Sequence, residues 1–246
     1  MLALCGSWLQ SRIHKNDLVS TYILWDIDGT LIYNNSSAGS LYLDSIEHVT
    51  GVRPTQRVAD PHGMTEGQLL AAILHVNGQD SGHLPEILSR LDELSLGQHE
   101  AGHTREPAVG TAQAIAAFAS RGWVNAILTG NGPTRARFKV LAAGYCAEDF
   151  DWQHSYFGHL SPTRHHLTAD ARDALGENHA IIIGDTPKDG EAADTAGIPF
   201  IAVATGTYSA DELRKSSALV VIDDFESGLD AVIDAVVDAI GSSSLR

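Results

Sequence analysis

The chain is poor in sulfur, poor in positive charge and without a long apolar run. Its two cysteines, Cys5 and Cys146, show no metal-ligand spacing and no disulfide framework, which points to a reducing compartment, the cytoplasm. Sixteen Lys and Arg stand against 31 Asp and Glu, a formal net charge of −15. That balance argues against general binding to nucleic acid or to an anionic membrane surface, since both need a basic face. No apolar run approaches the ~20 residues of a membrane span. There is no internal repeat, and only Ser242-Ser243-Ser244 is low in complexity. What is present is the composition of a soluble globular protein, 43% hydrophobic and 19% charged over 246 residues. An anionic small molecule would then depend on local positive charge, from a metal ion and a few placed basic residues.

The chemistry concentrates at Asp26-Ile27-Asp28-Gly29-Thr30, which follows the short apolar run Thr21 to Trp25. Such a β-branched and aromatic run reads as a buried strand. Side chains alternate along a strand, so Asp26 and Asp28 share one side and Ile27 takes the other. Gly29 permits a sharp turn, and Thr30 suits a cap. Residues 1–17 read as an amphipathic lead-in. Their apolar patch, Met1 to Cys5, is too short for a signal-peptide core and follows no basic residue.

After Thr30 a polar, Asn/Ser-rich stretch to Ser37 reads as a loop or hinge. Three helical patterns follow: Ala38 to Thr50, then Thr65 to about Asn77, then Pro85 to Leu96. Nothing between Ala38 and Glu106 reads as a strand, and Pro107 marks the exit. From Ala108 the pattern becomes an alternation of helices with short apolar strands. The strands are Trp123 to Leu128, His154 to Phe157, Ala180 to Ile183, Phe200 to Val203 and Ala218 to Ile222. Helices are expected at Ala112 to Ser120, Pro133 to Ala143, Arg164 to Leu175, Gly190 to Ala196 and up to Ile240. This rhythm predicts an α/β fold, a Rossmann-like parallel sheet covered on both faces. The core comprises residues 18–34 and 108–246, and residues 35–107 form an inserted all-helical cap.

Three strands end in polar signatures: Asp26 with Asp28, Thr129, and Asp185 with Asp189. In a parallel sheet those ends share one edge, where open α/β sheets bind ligands. Four converging acids repel unless a cation compensates them, and magnesium accepts oxygen ligands while retaining waters or phosphate oxygens. Asp26 and Asp185 are the expected metal ligands, with the Asp28 backbone carbonyl, and Asp189 in or just outside that shell.

These residues resemble the haloacid dehalogenase-like (HAD) superfamily, in its capped phosphatase branch. Asp26-Ile-Asp-Gly-Thr matches that family's first motif, Ile127-Leu-Thr129-Gly-Asn its second, and Gly184-Asp185-Thr-Pro-Lys-Asp189 its fourth. Order and spacing agree over about Thr21 to Ile240. The resemblance implies Asp26 as nucleophile and Asp28 as general acid/base, with Thr129, Gly130 and Asn131 holding phosphoryl oxygens. It also implies Mg²⁺ and an aspartyl-phosphate intermediate. Dehalogenases of the superfamily generally lack the second aspartate, so Asp28 favours phosphoryl transfer. The third motif is a basic residue. Arg164 fits the order best, and Lys188 is the other candidate.

The departures bear on substrate. Tyr33-Asn34-Asn35 stands where many capped relatives carry Asp-Ser or Asp-Thr. Gly63-Met64-Thr65-Glu66 resembles a Gly-(Arg/Lys)-Thr-Asp pattern of phosphoglycolate-phosphatase-like relatives, with Met64 in the basic place. Thr65 is a candidate substrate contact and equally a helix N-cap. The pair His165-His166 lacks metal-ligand context. The expected function is a Mg-dependent phosphatase of a small phosphorylated metabolite, monomeric or homodimeric. A phosphomutase of the same superfamily and a non-catalytic phospho-ligand-binding protein stand as alternatives.

Overall fold

The computed structural model describes residues 19–34 and 38–243. The expected lead-in over residues 1–17, Ser244 and residues 35–37 of the expected hinge lie outside the described residues. The strand β1 (Thr21–Trp25) is buried along its whole length, as a continuous apolar run requires. Its alternation is visible in the packing. Ile23 and Trp25 join a cluster with Phe118 and Phe225 on one face of the sheet, whereas Tyr22 and Leu24 join Leu167 and Phe200 on the other.

Three helices follow, α1 (Ala38–Thr50), α2 (Glu66–Val76) and α3 (Leu84–Glu100). The alternating part then runs α4 (Thr111–Ser120), β2 (Val124–Thr129), α5 (Pro133–Ala142), β3 (Tyr156–Phe157), α6 (Arg164–Leu175) and β4 (His179–Gly184). It ends with α7 (Pro187–Ala196), β5 (Phe200–Val203), α8 (Ala210–Leu213), β6 (Val220–Ile222) and α9 (Phe225–Ser243). The six strands form one sheet in the order β3-β2-β1-β4-β5-β6, parallel at every pairing. Helices α4, α5 and α9 supply the apolar cluster on one face, and α6, α7 and α8 that on the other. Helices α1, α2 and α3 enclose a separate cluster of Leu41, Ile46, Leu70, Ile73, Leu74, Ile87 and Leu91. Among the described residues no helix is long and apolar enough to cross a membrane.

Three elements differ from the sequence expectation, each for a local reason. Leu31 and Ile32 open the stretch expected as a polar loop but are fully buried. The Leu31 carbonyl accepts from the Ala108 amide and the Glu106 carbonyl from the Tyr33 amide, so entry to and exit from the helical insertion are laced together. Helix α7 starts at Pro187 rather than Gly190. Thr186 accepts from the Asp189 amide and Asp189 reaches back to the Thr186 amide, a capping box with Pro at the first helical position. Helix α3 runs on to Glu100 because nothing turns the backbone until Gly102, at φ +73°.

Phe118 anchors α4 to the sheet, fully buried with its ring 5.7 Å from Trp25 and 5.5 Å from Trp123. Phe118→Ala should cost about 3–5 kcal/mol, the range for deleting a buried phenyl ring. The expected readout is a lower urea midpoint with an unchanged m-value.

Candidate active site

Strand order reverses between β1 and β4, and an open α/β sheet forms its ligand crevice beyond the carboxyl ends at such a point. Asp26 continues β1 there, its amide bonded to the Ile183 carbonyl at 2.9 Å. A cavity of about 140 Å³ opens over this edge, lined from the core by Asp26, Asp28, Thr129, Arg164 and Asp185, and from the insertion by Tyr42, Met64 and Glu66.

Asp26, Asp185 and Asp189 are buried and each brings a carboxylate oxygen within 4.8 Å of the others. Burial pushes the Asp26 carboxyl up to about 7. The Arg164 guanidinium opposes that rise, while Asp189 and Asp28 add to it. Asp185 is raised well above the carboxylate range, first by burial and then by Asp26 and Asp189. Only the Thr30 hydroxyl, 3.3 Å from Asp185 Oδ1, is among the causes that lower it. The backbone makes room for this crowding. Gly29 sits at φ +88°, and a Cβ there or at Gly206 would collide with the Asp185 carboxylate. An all-oxygen donor set of mutually repelling buried carboxylates fits a hard divalent cation such as magnesium.

Arg164 opens α6 behind the Thr163 N-cap and is 4% exposed. Its Nη2 lies 3.2 Å from Asp26 Oδ1, 2.8 Å from Asp189 Oδ1 and 3.0 Å from the Leu128 carbonyl. The other oxygen of Asp189 accepts from the Thr186 amide and hydroxyl. Lys188 lies elsewhere. Its Nζ reaches the Asp60 carboxylate at 2.9 Å and the Asp60 and His62 carbonyls at 3.0 and 2.7 Å, fastening a loop of the insertion to the core. Of the two basic candidates, Arg164 is the one beside Asp26.

Asp28 stands apart from the three-acid cluster. Burial favours its neutral form, but the Lys139 ammonium, 2.5 Å from Oδ2, and the Asn131 amide, 2.8 Å away, outweigh it and hold the carboxyl below its usual value. Lys139 also donates to Asn131 Oδ1 at 2.6 Å, and Asn131 Nδ2 donates to Thr129 Oγ1 at 2.8 Å. One turn earlier on α5, buried Arg135 lies 2.8 Å from Glu66 of the insertion, whose second oxygen accepts the Gly132 amide at 2.7 Å. Arg135 and Lys139 were missed by sequence reasoning. Their signal was present: two cations four apart, each followed by an apolar residue of the buried face, Ala136 and Val140.

The remaining sequence candidates fall into place around these. Thr129, Gly130 and Asn131 line the cavity. The Asn131 amide is engaged by Thr129 Oγ1 at 3.4 Å, and the Gly130 carbonyl accepts the Glu66 amide at 2.8 Å. A Cβ at Gly130 would lie 2.6 Å from the Met64 carbonyl, so glycine admits the insertion this close. Thr65 is fully buried and outside the cavity lining. Its hydroxyl accepts the Gln68 amide as N-cap of α2 and donates to the Ser161 carbonyl at 2.7 Å, seating the insertion on the core. Its neighbours Met64 and Glu66 do line the cavity.

Fold and site together define a doubly covered parallel α/β core with an acidic, arginine-braced sheet edge beneath a helical segment. A family model described as HAD-hydrolase-like matches residues 161–228. The chain is 29% identical over 231 residues to a phosphoglycolate phosphatase of Mesorhizobium japonicum, covering 89% of this chain and 97% of that protein. Among solved structures, a hydrolase from Pseudomonas syringae superposes with a TM-score of 0.65 at 17% identity, over 88% of this chain and 99% of that one. A HAD hydrolase of family IA, variant 3, from Entamoeba histolytica gives 0.62 at 17%, over 89% and 99%. The chain is thus similar to haloacid dehalogenase-like hydrolases in the segment the family model matches, in its 29%-identical relative and in its fold.

The raised carboxyls of Asp26 and Asp185 set a pH-dependent expectation. A carboxyl with a raised folded-state pKa contributes stability below its unfolded value near 4 and loses it as the pH climbs, for Asp26 through about 7. Protons and a divalent cation therefore compete for the same oxygens. Magnesium at about 10 mM should raise the melting temperature more at pH 8 than at pH 5, through preferential binding to the folded state. Asp185→Ala should abolish the difference. Equal shifts at both pH values would show that these carboxylates do not hold the ion.

Proposed function

We propose that the chain is a magnesium-dependent phosphatase that hydrolyses a small phosphorylated metabolite through an aspartyl-phosphate on Asp26. The observation that carries this reading is the Asp26 carboxylate held between the Arg164 guanidinium and the acids of β4 and α7, with Asp28 two residues on in a separate, cation-paired environment. Two carboxylates held in different environments suit two different chemical roles.

In this mechanism a carboxylate oxygen of Asp26 attacks phosphorus and the ester P–O bond breaks, while Asp28, ionised at rest beside Lys139, takes up a proton from solvent with the substrate and passes it to the departing alkoxide. Water then attacks the phosphoryl group, Asp28 takes its proton, and the P–O bond to Asp26 breaks to release inorganic phosphate. Arg164 holds Asp26 and offsets charge on the transferring group. Thr129 and the turn at Gly130 and Asn131, ahead of α5, hold phosphoryl oxygens. Lys139 and Asn131 both engage Asp28 Oδ2, which leaves Oδ1 for proton transfer. Asp26, Asp185 and the Asp28 backbone carbonyl would hold Mg²⁺, which would supply charge neutralisation, and Asp189 orients the site through Arg164. A mutase must retain a second phosphoryl group, and Arg164, the one guanidinium in the described lining, already lies between Asp26 and Asp189. A non-catalytic binder has no use for the converging acids.

Asp26→Asn should lower turnover of p-nitrophenyl phosphate by at least about a thousandfold, roughly 4 kcal/mol of barrier, with unchanged circular dichroism. Retention of activity within tenfold would overturn the nucleophile assignment.

Asp28→Asn should lose about 10²–10⁴ on an alkyl phosphate. With p-nitrophenyl phosphate, whose leaving group needs no proton, the first step should survive and phosphoenzyme should accumulate. Lys139→Met should act in the same direction, through misplacement of Asp28. Equal losses on both substrates would exclude Asp28 as the acid.

A further inference from the structure

We infer that the substrate is a phosphomonoester whose leaving alcohol carries no negative charge, and that the cavity rejects carboxylated esters such as 2-phosphoglycolate. The inference rests on the phosphatase reading above and adds the substrate class. It follows from where the cations are. Arg164 lies between Asp26 and Asp189, Lys139 on Asp28, and Arg135 against Glu66, all three deeply buried. Lys188, on the rim, is paired with Asp60. Each of these basic groups already faces a protein carboxylate.

The insertion, which covers the leaving-group end, contributes Tyr42, Met64 and Leu69 and one charged side chain, Glu66. Both Glu66 oxygens are held, one by Arg135 and one by the Gly132 amide, so this carboxylate cannot turn away from an incoming anion. Among the described residues no Lys or Arg of the insertion lines the cavity. The imidazole of the insertion in the lining is that of His62, exposed, with Nδ1 3.4 Å from the Thr207 hydroxyl. In the lining Asp28 and Glu66 are each paired with a buried cation of α5 and Arg164 with Asp26, so no Lys or Arg of the described lining is left without a protein carboxylate partner. The phosphoryl group brings further negative charge. A substrate carboxylate would add another anion in a desolvated place without a partner, where like charges discriminate strongly. An alcohol with hydroxyl or apolar substituents meets no such penalty. By this inference the chain differs in leaving group from what the name of its 29%-identical relative describes.

The test compares two esters of similar size, 2-phosphoglycolate and 2-hydroxyethyl phosphate, with p-nitrophenyl phosphate as a reference. For the wild-type protein kcat/KM should favour 2-hydroxyethyl phosphate by at least about tenfold. Met64→Lys, which places an ammonium in the lining, should narrow that ratio by about tenfold or reverse it. Equal or better turnover of 2-phosphoglycolate by the wild type would overturn the inference while p-nitrophenyl phosphate turnover leaves the phosphatase reading standing. A folded Met64→Lys variant with an unchanged ratio would likewise overturn it. Loss of turnover on all three esters would instead overturn the phosphatase reading, and the inference with it.

Discussion

The structure depends on one electrostatic compromise, the burial of Asp26, Asp185 and Asp189 against each other with Arg164 among them. Removing carboxylates from water is costly, and like charges in a low-dielectric setting raise that cost. The fold meets it with one guanidinium that touches two of the three acids, and with a hydroxyl from Thr30 on the third. What repulsion remains is directed at the cavity, where a cation can relieve it. A site of this kind is stabilised by its ligand, so stability has been exchanged for readiness to bind.

That compromise explains details of the backbone that otherwise look arbitrary. Gly29 and Gly206 both press on Asp185 from positions that leave no space for a side chain. The capping box of α7 holds Asp189 by one oxygen and leaves the other for Arg164. Arg164 in turn is placed by the first turn of α6, which the Thr163 cap anchors. Helices α6 and α7, remote in sequence, thus brace the Asp26 carboxylate just past β1.

A second network joins the insertion to Asp28. Glu66 reaches from α2 into the start of α5, and Arg135 and Lys139 on that helix face Glu66 and Asp28 respectively. Thr65 and Lys188 fasten the same insertion segment to the core at two further points. The helical segment over the cavity and Asp28 therefore share α5 as their common support.

The alternation of short apolar strands with helices, the run of helices between Ala38 and Glu100 and the acids at strand ends were legible in the amino-acid sequence, because periodicity and punctuation are local properties. The α/β class, the convergence of Asp26, Asp28, Thr129 and Asp185, and Arg164 as a candidate partner followed from them. Buried Leu31 and Ile32 were not legible as core, since their neighbours are polar and their burial comes from pairing with the chain near Pro107, far along the sequence. Thr65 carried two meanings that only packing could separate, and its hydroxyl is directed to Ser161. Lys139 and Arg135 were missed, since a cation on a helix does not name its partner. Which face of α5 meets Asp28, and which meets Glu66, is decided by the docking of the helix and the insertion in three dimensions. The sequence by itself determined which chemical groups are present and at which strand ends. Only the tertiary structure decided how they pair, because a buried charge takes its partner from whatever the fold brings within a few ångströms.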